Sequence, residues 1–290
     1  MNFFKFFLLT VTSALFFSCS SGDDNSSSNE FFNLNYEGTT INVTQFQAQR
    51  SERSLAVTAV SNDGLGISFE FNEQGNIRHV NIYPTTASAN YDAYSSYRHY
   101  ASNYFNFELI ELDSQNKTVE VEFSGNLYED EYFLSGSTKH IEGSFKIKYE
   151  DVIPSVSGLG VSANIAGQNF LDASSDSTGG FFGGSDIGLT YYNASPYTIT
   201  LNMNHDNTTT GNYSFNASSV VNNVKLSKYD ATNDTYTDYN TVGTFNVTEK
   251  NVGFQVTVVT GTYSFNATNP NDNSQLNVTN GIFKVAYINY

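Results

Sequence analysis

The chain has 290 residues and a formal net charge of −16, with one cysteine, no tryptophan, 20 tyrosines and 24 phenylalanines. That charge excludes a nucleic-acid binder, which needs clustered Lys and Arg, and it repels anionic lipid, so membrane contact is left to acyl groups. Aromatic, Thr, Asn and Gly residues crowd the body and favour strands and turns over helices.

The first predicted element is an export signal. Lys5 precedes the nearly unbroken apolar run Phe6–Phe17, the order of a secretory signal peptide, here residues 1–18. The run is too short to cross a bilayer, which takes roughly 20 apolar residues. Ser18–Cys19 resembles a lipobox, with Phe16 standing where leucine is usual and Phe17 where a small residue is usual. Cys19 is the single cysteine, so it cannot form an intramolecular disulfide, and a thioether to lipid would consume its thiol. Each buried acyl CH₂ contributes about 0.8 kcal/mol, and two chains suffice for stable anchoring. Residues 19–30 then read as a flexible tether, because SSGDDNSSSN (Ser20–Asn29) has nothing apolar to bury. As a coil it reaches roughly 17 Å r.m.s.. Asp23–Asp24 resembles the acidic export signal of surface-displayed lipoproteins, which favours the outer face of an outer membrane over its periplasmic face.

The body shows period-two alternation, the pattern of antiparallel strands over a core. Val119, Val121 and Phe123 oppose Glu120 and Glu122; Phe145, Ile147 and Tyr149 oppose Lys146 and Lys148; Ile199, Leu201 and Met203 continue the pattern after Tyr197. Similar marks recur along the chain. Gly75 and Gly211 lie 136 positions apart, as do Gly125 and Gly261, and Tyr149 and Tyr287 lie 138 apart. An internal duplication accounts for them. It predicts two tandem antiparallel β-sandwich or flattened-barrel modules, residues 31–153 and 154–290, jointed at Pro154, which cannot donate to a ladder. The run containing Tyr91, Tyr94, Tyr97, Tyr100 and Tyr104 is expected to form a hairpin leading into a strand around Phe105, Phe107 and Leu109. Its rings either cover the core edge or form an exposed surface that stacks sugars or docks proteins.

A lipobox, a Ser/Asp tether and modules ending in G-x-F-x-V-x-Y resemble uncharacterised surface lipoproteins of Bacteroidota. The matching residues are Gly143-Ser144-Phe145-Lys146-Ile147-Lys148-Tyr149 and Gly281-Ile282-Phe283-Lys284-Val285-Ala286-Tyr287. The resemblance implies a small all-β fold on a lipid anchor and transfers no activity.

Enzyme signatures are sparse. His79, His99, His140 and His205 share no metal-ligand spacing. GGFFGGSDIG lacks the final glycine of a nucleophile elbow and the lysine of a phosphate loop, so it reads as an inter-strand loop. Asp230, Asp234 and Asp238, and the stretch Asn269–Gln275, offer oxygen ligands to calcium without an EF-hand pattern; turn chemistry explains them as well. We therefore expect no catalytic residues, cofactor or metal. The expected protein is an anchored envelope component with a binding or structural role toward a glycan or envelope protein. A lipocalin-like carrier and an accessory of glycan processing are the alternatives. Replacing Cys19→Ala should leave a soluble or uncleaved form; an unmodified Cys19 in membrane-extracted protein, read by intact-mass spectrometry, would contradict lipidation.

Overall fold

The structure, a computed structural model, describes residues 30–87, 89–179 and 186–289. The signal peptide, Cys19, the tether up to Asn29, and Gly180–Ser185 of the glycine-rich loop lie outside the described residues. The first half carries β1 (Phe31–Tyr36), β2 (Thr39–Ile41), β3 (Val43–Ser51), β4 (Ser54–Ser61), β5 (Leu65–Asn72), β6 (Ile77–Pro84), β7 (Tyr94–Ser95), β8 (Phe105–Asp113), β9 (Thr118–Tyr128) and β10 (Thr138–Asp151). The second carries β11 (Gly160–Ile165), β12 (Gln168–Leu171), β13 (Ser174–Gly179), β14 (Asp186–Tyr192), β15 (Tyr197–Asn204), β16 (Gly211–Phe215), β17 (Asn223–Asp230), β18 (Thr235–Asp238), β19 (Asn240–Val252), β20 (Val256–Thr268) and β21 (Gln275–Ile288).

In the first half β2-β1-β10-β9-β8 form one layer and β3-β4-β5-β6-β7 the other. The layers join at both corners. β10 pairs with β1 up to Lys146, then turns to β3 from Tyr149 in a short parallel ladder, the one exception to the expected antiparallel pairing there. Between the two, Glu30 Oε1 accepts the Lys148 N–H at 2.6 Å, so that amide is not orphaned. At the other corner Ser95 of β7 pairs with Tyr128 of β9. The result is a flattened barrel whose inside is filled by rings: Phe69 of β5 lies 4.7 Å from Phe123 and 5.5 Å from Phe145 across the layers. The predicted faces hold, for Val119, Val121, Phe123, Phe145, Ile147 and Tyr149 are all buried. Glu120 sits on the outer face beside its cross-strand partner Lys146, 2.7 Å away.

In the second half a six-stranded layer, β12-β11-β21-β20-β19-β16, packs on a five-stranded one, β13-β14-β15-β17-β18. Its core, which includes Ile199, Leu201, Met203, Phe245 and Phe283, shares no residue with the first core. The strand order β2-β1-β10-β9-β8 of the first half recurs as β12-β11-β21-β20-β19 in the second, but the halves part company at β16. β5 is flanked by β6, whereas β15 is flanked by β17 and the intervening β16 crosses to the edge beside β19. Register also departs from the expected correspondence: Phe145 lies opposite Val121, but Phe283 lies opposite Gly261, so Gly125 and Gly261 do not occupy equal places.

The halves also share a way of seating rings. Gly66, Gly125, Gly143, Gly261 and Gly281 lie directly across from Tyr83, Phe105, Phe123, Phe283 and Tyr263. At each, an added Cβ would run into that ring. A missing side chain lets the aromatic ring lie over the neighbouring backbone, and the ring in turn covers the glycine. Gly143→Ala would drive its Cβ onto the carbonyl oxygen of Asn33 in β1. We expect a loss of about 2 kcal/mol or more, lowering Tm by about 4–8 °C. Gly136→Ala meets nothing within 4 Å and should change stability by less than about 0.5 kcal/mol. Equal effects in calorimetry would contradict the seating argument.

Candidate functional site

The five tyrosines singled out in the sequence do not form a hairpin. Only Tyr94–Ser95 is a strand, and residues 101–103 make a single helical turn before β8. The reason is that their partners lie elsewhere. Tyr91 donates to Asp63 Oδ2 at 2.5 Å and meets Tyr36 edge-on, closing the turn after β4. Tyr94 is buried in the first core with its hydroxyl 3.0 Å from Ser137 Oγ. Tyr97, Tyr100 and Tyr104 turn the other way and meet the second half.

There Tyr97, Tyr128 and Tyr229 form a small buried core of their own, flanked by Tyr100, Tyr104, Leu134 and Tyr236. Tyr97, only 1% exposed, packs edge-on against Tyr104 at 4.9 Å. Its hydroxyl donates to Asp234 Oδ1 at 2.5 Å, and Tyr229 donates to the same oxygen at 2.6 Å. Asp234 stands in the β17–β18 turn with a left-handed φ of 51°, which aims the carboxylate at both phenols. Two donated hydrogen bonds hold its carboxyl below the usual range. Burial, reinforced by the Asp234 bond, pushes the Tyr97 phenol up to about 12 and raises Tyr229 still more.

Around this centre His99 Nδ1 lies 3.1 Å from the Tyr236 hydroxyl, and its ring stacks on Tyr229. Burial, then the charge of Arg98, depresses its pKa. Arg98 pairs with Glu131 at 3.2 Å and lies over Tyr132. Ser102 donates to the Ala194 carbonyl. A second set of contacts joins the halves near the linker. Arg53 Nη2 lies 3.4 Å from Asp172 Oδ1 and 3.1 Å from the Leu159 carbonyl. Asn72 Nδ2 donates to the carbonyls of Leu171 and Asp172 at 3.2 and 3.1 Å. Glu52 accepts from Ser157 and from the Gly158 N–H.

The arrangement is a joint. Phenols committed to a carboxylate and rings packed on one another leave no flat face for a sugar at Tyr94 or Tyr97, and Tyr91, Tyr100 and Tyr104 are half-buried. The exposed rings at its rim are Tyr132 and Phe133 in the β9–β10 loop, which the sequence reading passed over. Their only signal is an aromatic pair inside an acidic turn. The other candidates serve turns and one cross-strand bond: Asp230 caps Thr232 N and Asn233, Asn269 and Asp272 accept from Asn271 N and Ser274 N, and Asp238 accepts from Ser227 opposite it on β17. Among the described residues no three His, Cys, Asp or Glu side chains converge as metal ligands. His79 lies 3.8 Å from Glu70, His140 bonds Asn126, and His205 adjoins Asp206.

A family profile described as Domain of unknown function (DUF6252) matches residues 187–286, which run from β14 to β21 within the second sandwich. No curated protein matches the chain.

Because Tyr97 is buried, Tyr97→Ala should cost about 3–4 kcal/mol. Calorimetry should then resolve two transitions where the parent gives one; a single unshifted transition would show that the joint does not couple the halves. His99 adds a pH dependence. A depressed pKa in the folded state means the unfolded chain binds protons first, so stability is full above about pH 6.5 and declines as pH falls below it. The parent should therefore lose more Tm between pH 7.5 and 5.5 than His99→Gln does, and equal losses would contradict the assignment.

Proposed function

We propose that the protein is a lipid-anchored component of the cell envelope, held through Cys19 and acting by binding or by structure rather than by catalysis. The observation that carries this reading is the order of the sequence: apolar run, Cys19, acidic Ser/Asp tether, then a body that begins at once with β1. Acyl chains at Cys19 would fix the protein to an outer membrane, and Asp23–Asp24 favours its outer face. The joint supports a structural role, because it makes the sandwiches one rigid body standing close to the membrane. The filled interior of the first sandwich, with Phe32 and Phe145 stacked 5.3 Å apart, weighs against a lipocalin-like carrier, whose cavity must stay hollow. An accessory role in glycan processing remains the second alternative. Any glycan or protein partner would meet exposed groups such as Tyr132 and Phe133, since the rings of the joint are committed to one another.

The test is direct. Metabolic labelling with a fatty acid should mark the parent and not Cys19→Ala, and protease added to intact cells should remove the body. Labelling of the Cys19→Ala form at equal strength would refute the anchor. Protection of the body until the outer membrane is opened would place it on the periplasmic side.

A further inference from the structure

We propose that the β19–β20 hairpin tip is a second membrane contact, an uncharged prong whose Phe254 side chain enters the lipid surface beside the acyl anchor. This rests on the anchoring proposed for Cys19. Phe254 is 97% exposed, and Val252 of the same turn and Ile288 of the adjoining strand are exposed as well. These apolar groups are not on a loose loop. The Gly253 N–H donates to the Val256 carbonyl at 3.0 Å. Asn289 clamps the turn, donating from its backbone to Gln255 at 2.8 Å and from Nδ2 to Gly253 at 2.7 Å. Its Oδ1 accepts from Thr257 at 2.6 Å. A turn so braced presents its ring with little conformational entropy left to lose on insertion.

The fold does not require an apolar tip. In the first sandwich the β8–β9 turn reads Asp113-Ser114-Gln115-Asn116-Lys117, and its Asp113 binds the turn's own N–H groups. The charge pattern indicates what the β19–β20 tip meets. No Asp, Glu, Lys or Arg occurs between Lys250 and Asp272, or between Lys284 and Asn289. Lys250 itself turns back to the carbonyls of His205 and Thr208. Charge-free runs of similar length also occur at 152–171, 187–205 and 207–224, and Glu249 accepts from Asn251 while Asp206 lies near Tyr287. In a body of net charge −16 the tip is therefore one of several places where repulsion by an anionic membrane is weak, and its braced, exposed Phe254 is what sets it apart. The position of the anchor agrees. Glu30, where the tether joins the body, touches Lys148 near the end of β10. Beyond the short linker Gly160 pairs with Lys284, only four residues before Ile288 in β21. Tether exit and tip thus both lie at the linker ends of their sandwiches, and the tether's reach of roughly 17 Å keeps those ends near the bilayer.

The chain has no tryptophan, so Phe254→Trp creates a single reporter. The full lipidated chain is reconstituted into phosphatidylcholine vesicles with or without acyl-brominated phosphatidylcholine, and flotation confirms attachment. The reporter should emit to the blue of its position in detergent-free buffer and lose at least half its intensity to brominated lipid. Val220→Trp, at an exposed loop position after β16, should keep water-like emission and full intensity. A floating Phe254→Trp protein with unquenched emission overturns the prong while leaving the anchor standing. A blue shift without quenching assigns the tip to a protein contact, which also overturns it. A chain that does not float removes the anchor, and the prong with it.

Discussion

Tyr97 and Tyr229 come from opposite halves of the chain and donate to one carboxylate oxygen of Asp234, at 2.5 and 2.6 Å. Each sandwich buries its own core without help from the other, so nothing in either core dictates how they sit together. An interface made only of surface groups would be wet and mobile. Here the joint has a buried core of rings, and the shared carboxylate of Asp234, itself exposed at the edge of the joint, favours one register because a displaced phenol would lose a charge-assisted bond. The Arg53–Asp172 contact near the linker adds a second point of attachment, and two separated points define a relative orientation where one would leave a pivot.

The strands themselves were legible. Alternation at Val119–Phe123, Phe145–Tyr149 and Ile199–Met203 placed the buried faces correctly, because each face is decided locally by the period of the pleat. The tyrosine run was not legible for the opposite reason. Tyr97 bonds a residue 137 positions away, and a ring seeking a distant partner leaves no period in its own segment. An aromatic-rich stretch with Arg98 and His99 has the composition of a binding surface and of an interface alike; only burial separates them. The expected strand-for-strand correspondence failed at β16, where similar Gly-containing strings hide a strand that changes layer. The parallel β3–β10 ladder at the corner was also invisible, since it is three residues long and set by barrel closure.

The same physics runs from composition to proposed role. Glycines opposite aromatic rings let bulky side chains lie over neighbouring strands, filling space that a carrier would keep open. The net charge of −16 makes copies of the body repel one another, and the acyl groups proposed at Cys19 would hold it at a membrane. If the protein is anchored as proposed, two sandwiches joined as one body would limit which surfaces face the lipid and which face outward.

The central claim is that the two sandwiches form one rigid body. Pulsed electron-spin distance measurement tests it, with spin labels at Gln47→Cys and Lys225→Cys, exposed positions on strands of opposite halves, and Cys19→Ala removing the native thiol. One narrow distance distribution is expected, broadening on Tyr97→Ala. A broad distribution in the otherwise unaltered chain would contradict it.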